Sequence, residues 1–195
     1  MKTLPREFYE RDTIDVAHKL LGKVLVHDSK EGPTAGKIVE VEAYLGENDP
    51  ASHASRGITP RNKIMFGQPG LAYVYFVYGN HFLFNAVTEQ EGKAGAVLIR
   101  ALEPLQGIEL MWERRKCRDK KMLTNGPGKL AQALGITKKQ NGSDLTGGTL
   151  RILNGREEKF KIVSAPRIGI KKGSEDLLRF YIADNEFVSK VKEQR

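Results

Sequence analysis

The sequence predicts a single α+β domain spanning residues 1–195, with a largely antiparallel, curved β-sheet core flanked by helices and carrying a protruding β-hairpin. Three observations carry that expectation. Residues 71–87 read as two apolar strands around Gly79-Asn80, a two-residue hairpin turn. Residues 23–27 and 36–44 form a second pair of strand patterns, separated by a polar stretch and suited to antiparallel pairing. Helical patterns are few and short, and no internal repeat, low-complexity tract or linker divides the chain.

Taken in order, Asp12 or Thr13 is placed to cap a helix carrying Ile14, Ala17, Leu20 and Leu21, with Gly22 suited to a left-handed ending. A strand over 23–27 follows, then a polar turn over 28–35 with Gly32-Pro33. The next strand, 36–44, is the informative one. Alternation places Val39, Val41 and Ala43 on one face and Ile38, Glu40, Glu42 and Tyr44 on the other. The first face suits a core, while the second suits either solvent, with both glutamates hydrated, or a cleft. Residues 45–70 are polar and broken by glycines and prolines, a long loop of the functional or disordered kind. That loop holds His53 and the basic residues Arg56, Arg61 and Lys63, and it has the makings of an anion-facing surface.

The hairpin at 71–87 alternates Tyr73, Tyr75 and Val77 against Val74, Phe76 and Tyr78, so Tyr78 stands exposed at its tip and asks for a partner. A strand over 94–102 contains one charge, Arg100. A buried arginine needs an acceptor, and Glu42 is suitable if these strands are neighbours. Pro104 is expected to introduce a helix with Leu105, Ile108, Met111, Trp112 and Arg115. Asn125-Gly126-Pro127-Gly128-Lys129 opens another, ending at Gly135, and resembles an anion-binding helix start with Lys129 in its first turn. Strands at 149–153 and 159–163 around Asn154-Gly155, and a last strand at 177–182, complete the chain.

Hydrophobic content of 39% and charged content of 29% fit a globular protein, and no apolar run approaches the roughly 20 residues of a membrane span. The N-terminus lacks the apolar stretch of a signal peptide, and Cys117 has no partner in the chain, so a cytoplasmic setting is expected. A formal net charge of +8 favours a polyanionic partner.

The histidines, His18, His27, His53 and His81, and the lone cysteine form no zinc motif, so no metal or other cofactor is expected. Walker spacing and a Gly-x-Ser-x-Gly elbow are also missing, which disfavours nucleotide hydrolysis and serine acyl transfer. What remains is Glu42 among tyrosines, a histidine and an arginine, on a basic chain. That combination suits hydrolysis of an N-glycosidic bond in DNA: a carboxylate can activate water and stabilise an oxocarbenium-like sugar, and tyrosines can stack on an extruded base. A non-catalytic module stacking single-stranded nucleic acid on its tyrosines and a hydrolase of free nucleosides are the alternatives.

Ile-Val-Glu-Val-Glu-Ala-Tyr-Leu-Gly at 38–46, Thr-Pro-Arg-Asn at 59–62, Tyr-Val-Tyr-Phe-Val-Tyr-Gly at 73–79, Leu-Ile-Arg-Ala-Leu-Glu-Pro at 98–104 and Asn-Gly-Pro-Gly-Lys-Leu at 125–130 together resemble the alkyladenine (3-methyladenine) DNA glycosylase family. The resemblance runs from the N-terminal helix to Arg-Phe-Tyr-Ile at 179–182, and residues 137–162 carry none of its motifs. It implies a monofunctional, monomeric enzyme acting on double-stranded DNA with damaged purines, without a Schiff-base step. Glu42 would be the general base, with Arg100 and the carbonyl of Ile168 helping to hold the water. Tyr44, His53 and Tyr75 would line the pocket for a flipped base, Asn85 would crowd the exocyclic group of guanine, and Tyr78 would insert into the duplex. Arg61 and Lys129 are the phosphate-facing candidates.

Overall fold

In the computed structural model, which describes residues 1–77 and 79–189, the chain is built around its longest strand. The elements in order are α1 (Arg6–Tyr9), α2 (Thr13–Leu20), β1 (Val24–Ser29), β2 (Gly32–Tyr44), β3 (Ala72–Val77), β4 (His81–Val87), β5 (Ala96–Gln106), α3 (Ile108–Arg115), α4 (Pro127–Leu134), β6 (Leu150–Leu153), β7 (Ile162–Ala165) and β8 (Arg179–Ile182). The sheet runs β3-β4-β5-β2-β1-β6, with β8 beside β2 and β7 beside β8. Each of these pairings is antiparallel, as the strand patterns predict.

Strand β2 holds the architecture because it has partners on both edges. Residues Gly32 to Lys37 pair with β1 and Glu40 to Glu42 with β8, while β5 follows the opposite edge from Ala35 to Tyr44. A strand flanked in this way gives its backbone to the ladder and its side chains to two buried faces. The β2/β5 register then steps from Ile38↔Leu102 to Glu40↔Ala101 and on to Val41↔Ile99. Val39 and Arg100 are the residues passed over, and such irregularities bend strands and re-aim side chains.

Strict alternation fails here as a result. Ile38 joins Val39, Val41 and Ala43 in the main hydrophobic core instead of sharing a face with the glutamates. Helix α2 packs on β2 and β5. Asp12 accepts hydrogen bonds from the N–H groups of Ile14 and Asp15, capping that helix, and Val16, Ala17 and Leu20 enter the core. Helix α4 packs on β4 and β5, and its left-handed Gly135 ends it.

Other expectations are corrected by the structure. Pro104 does not start a helix; it sits in β5 opposite Gly36, beside a register irregularity where its missing N–H is tolerated. The helix begins at Ile108, after a left-handed Gly107. The polar 28–35 segment is mostly strand, since β1 and β2 pair as far as Ser29↔Gly32. Strands β6 and β7 do not form a hairpin around Asn154-Gly155, because β6 pairs with β1 and β7 with β8. The 45–70 loop contains three short 3-10 turns and its own small core of Ala54, Met65 and Phe66 packed with Tyr73.

Gly46 starts that loop with φ +85°, and a Cβ there would lie 2.3 Å from the carbonyl oxygen of Ala94. Gly46→Ala combines left-handed strain with a backbone clash, and urea melts should show a loss of roughly 2–4 kcal/mol. A variant within about 0.5 kcal/mol of the parent would contradict the packing described here.

Candidate active site

Arg100, re-aimed by the irregularity in β5, reaches both glutamates of β2. Its Nη1 lies 3.1 Å from Glu42 Oε1 and its Nε 3.2 Å from Glu40 Oε1. Both carboxylates are 0% exposed. The pairing of Arg100 with Glu42 expected from the sequence is present. A solvated Glu40 is not: it is as buried as Glu42 and accepts from Arg100, from Arg179 and from both the N–H and hydroxyl of Ser189.

Three donors fix the Glu42 carboxylate. Oε1 takes Arg100 and the N–H of Ile168 at 2.7 Å, and Oε2 takes the Tyr44 hydroxyl at 2.9 Å. Tyr44 is pushed far above the usual phenol range, by burial first and then by the Glu42 charge, so its hydroxyl stays protonated and donates. Burial opposes the charge on Arg100, but the carboxylates of Glu42 and Glu40 outweigh it and raise the guanidinium further.

These donors form part of the floor of a cavity of about 500 Å³, and Glu42 lies behind them. Tyr44, His53, Tyr75, Asn85, Arg100 and Ile168 all line it, and Lys129 stands at the N-terminal turn of α4 on the same cavity. One wall is the inner face of the β3–β4 hairpin. Pairing of Tyr73 with Asn85, Tyr75 with Leu83 and Val77 with His81 brings those six side chains to one side. Asn85 is anchored by donating from Nδ2 to the carbonyl of Tyr73 at 3.1 Å.

The loop after β2 closes another side. Asn62, 1% exposed, donates to the carbonyls of His53 and Gly57 and accepts from the N–H of Thr59, stapling the turn that carries His53 and Arg61. His53 Nδ1 then lies 2.8 Å from the Tyr73 hydroxyl, and its ring sits 4.5 Å from that of Tyr75. Arg61 is 5.3 Å from the Tyr75 ring centroid and donates to the carbonyl of Phe76. Lys129 donates to Asn125 Oδ1 at 2.7 Å. Tyr78, the expected inserting residue, lies outside the described residues.

The supports of these side chains leave no pattern in the sequence. Arg167 makes a buried double hydrogen bond to Asp49, donates to the carbonyl of Ala43 and lies 4.9 Å from the Tyr44 ring centroid. Burial alone would raise Asp49, but the Arg167 hydrogen bonds and the N–H groups of Ala51 and Leu45 outweigh it and hold the carboxyl below its usual range. This pair clamps the segment presenting the Ile168 N–H to Glu42. An arginine beside Ile-Gly-Ile and an aspartate before Pro50 gave no periodic signal linking them across 118 positions.

Comparison with known proteins places the chain that carries this cavity among the DNA N-glycosylases. The family model described as methylpurine-DNA glycosylase matches residues 7–186. A protein of Prosthecochloris aestuarii named "Putative 3-methyladenine DNA glycosylase" is 53% identical, covering 95% of this chain and 90% of its own. Proteins of the same name from Methanocella arvoryzae and Legionella pneumophila are 50% and 48% identical, covering 97% and 98% of this chain and 97% and 100% of theirs. The chain belongs to the methylpurine-DNA glycosylase family. Among the described residues, no helix is long and apolar enough to cross a membrane.

Burial first, and then the charge of Arg61, hold His53 below its ordinary value of 6.5. A depressed folded-state value favours neutral imidazole, so its stabilising contribution is complete above pH 6.5 and is lost as pH falls through the folded-state value. NMR titration should give a midpoint under 6.5, and Arg61→Ala should raise it towards that value. A wild-type midpoint above 6.5, or a fall in the variant, would contradict this reading.

Proposed function

We propose that the protein excises damaged purines from double-stranded DNA, flipping the nucleotide into the tyrosine-walled cavity and hydrolysing its N-glycosidic bond with water activated by Glu42. The observation that carries the reading is the Glu42 carboxylate itself, buried and fixed by Arg100, Ile168 and Tyr44 against the floor of a cavity of purine-accommodating size. Family membership supports DNA as the substrate.

The chemistry follows from the donors. Two of them meet Oε1, whereas Oε2 receives the Tyr44 hydroxyl, so Oε2 is the oxygen with acceptor capacity for a proton from water. That water, held between Glu42 and the carbonyl of Ile168, attacks C1′ as the C1′–N bond breaks and its electron pair departs with the base. The base leaves neutral from a cationic alkylated purine, and solvent water protonates it when the purine is neutral. The attacking water gives one proton to Glu42, and the abasic sugar retains the hydroxyl. Negative charge behind the sugar stabilises the oxocarbenium character that develops as the bond breaks. No covalent enzyme intermediate is formed.

Tyr44, Tyr75 and His53 hold the extruded purine by stacking, and alkylated, cationic purines gain from the electron-rich ring faces. Asn85, rigidly bonded to the hairpin backbone, excludes guanine by crowding its exocyclic amine. Tyr78 fills the gap left in the duplex, and Arg61 and Lys129 serve the phosphate backbone as the protein acts as a monomer.

The test uses duplex DNA carrying one 1,N6-ethenoadenine. The wild-type protein should generate abasic sites, with Glu42→Gln slower by about 10²–10⁴-fold while still binding the duplex. Binding by both proteins with excision by neither supports a non-catalytic module instead. Replacing Tyr78 by Ala should reduce the flipped population seen by base fluorescence more than it slows the chemistry, and an unchanged flipping equilibrium would remove that role.

A further inference from the structure

Glu40 is a second fully buried carboxylate that shares Arg100 with Glu42, and the proposed chemistry gives it no part. Its surroundings are organised. Oε1 accepts from Arg100 Nε at 3.2 Å, Arg179 Nη1 at 3.1 Å and the Ser189 hydroxyl at 2.7 Å, while Oε2 accepts from the Ser189 N–H at 2.8 Å. Arg179 also donates through Nε to the carbonyl of Pro166, two residues before the Ile168 N–H that meets Glu42. Two carboxylates and two guanidinium groups thus form one charge-balanced cluster, closed on the Glu40 side by Ser189.

The geometry of Arg100 is the informative part. An arginine facing one carboxylate favours a two-nitrogen contact, which is stronger than a single one. Here its Nε edge is held by Glu40, and Nη1 alone meets Glu42, at Oε1. We propose that Glu40 is a positioning residue for excision: by anchoring the Nε edge of Arg100 it confines that guanidinium to a one-nitrogen contact with Glu42, keeping Oε2 available to take the proton from water. The inference rests on the glycosylase reading above. Without the Glu40 charge, Arg100 closes onto both oxygens of Glu42 and occupies the acceptor position that water requires.

Glu40→Gln tests this in single-turnover excision of ethenoadenine at saturating protein, beside duplex affinity. A purely structural defect lowers the fraction of active molecules, and so the amplitude, while leaving the rate constant of the remaining molecules unchanged. The positioning role predicts a rate constant at least ten-fold lower, an amplitude like wild type and a dissociation constant within about three-fold. A wild-type rate constant, or a loss confined to amplitude or affinity, overturns it. Should Glu40→Gln fail to fold, Ser189→Ala decides: it withdraws one donor from Glu40 with all four charges in place. A rate constant reduced three-fold or more at full amplitude is expected, and an unchanged one overturns the role. A wild-type protein that binds the duplex and excises nothing overturns the glycosylase reading itself, a result distinct from an unaffected Glu40→Gln beside an active wild type.

Discussion

Everything at the centre of this protein depends on one guanidinium shared between two carboxylates that have lost all contact with solvent. Burying an ion costs several kcal/mol, and the loss is offset only when partners and hydrogen bonds are nearly complete. Arg100, Arg179, Ser189, Ile168 and Tyr44 supply them from strands β2, β5 and β8 and from the segments that precede and follow β8. The cluster can form only where those segments converge, so the strand order is a condition of the site. Strand β2 meets that condition because β5 and β8 flank its glutamates on opposite edges.

The irregular register between β2 and β5 links topology to chemistry. Regular pairing would set Arg100 opposite a fixed neighbour. Passing over Val39 and Arg100 lets the hydrophobic face absorb Ile38 and turns the arginine to both glutamates. The cavity is then assembled from elements far apart in sequence: a hairpin wall, a loop stapled by Asn62, the first turn of α4 and the segment after Pro166. Each is tied down by its own hydrogen bonds. The pocket is therefore largely pre-formed, as ligand sites usually are.

Much of this was legible in the chain. The tyrosine hairpin announced itself by alternation around Gly79-Asn80, Arg100 by being the one charge in an apolar run, and the short α2 and α4 helices by their caps. Alternation also misleads, because it cannot register a bulge: it puts Ile38 on the glutamate face and leaves solvent open as the surroundings of Glu40, whereas Ile38 is core and Glu40 is fully buried. Pro104 reads as a helix start unless the irregularity beside it is known. The pairing of Asp49 with Arg167 joins two loops, and Glu40 is met by Ser189 from the irregular segment after β8; such segments have no period to read. Family motifs point to residues that line the cavity, while the residues holding them become visible only in three dimensions.

On the mechanism proposed above, Glu42 keeps one acceptor position aimed at the sugar of a base lodged between Tyr44, His53 and Tyr75. A crystal structure of the protein on a duplex carrying a slowly excised purine tests it most directly. The purine should lie in the hairpin-walled cavity, with one ordered water within hydrogen-bond distance of Glu42 Oε2 and the carbonyl of Ile168, in line with C1′. A flipped purine with Arg100 closed over both oxygens of Glu42, or with no water between that carboxylate and the sugar, would contradict it.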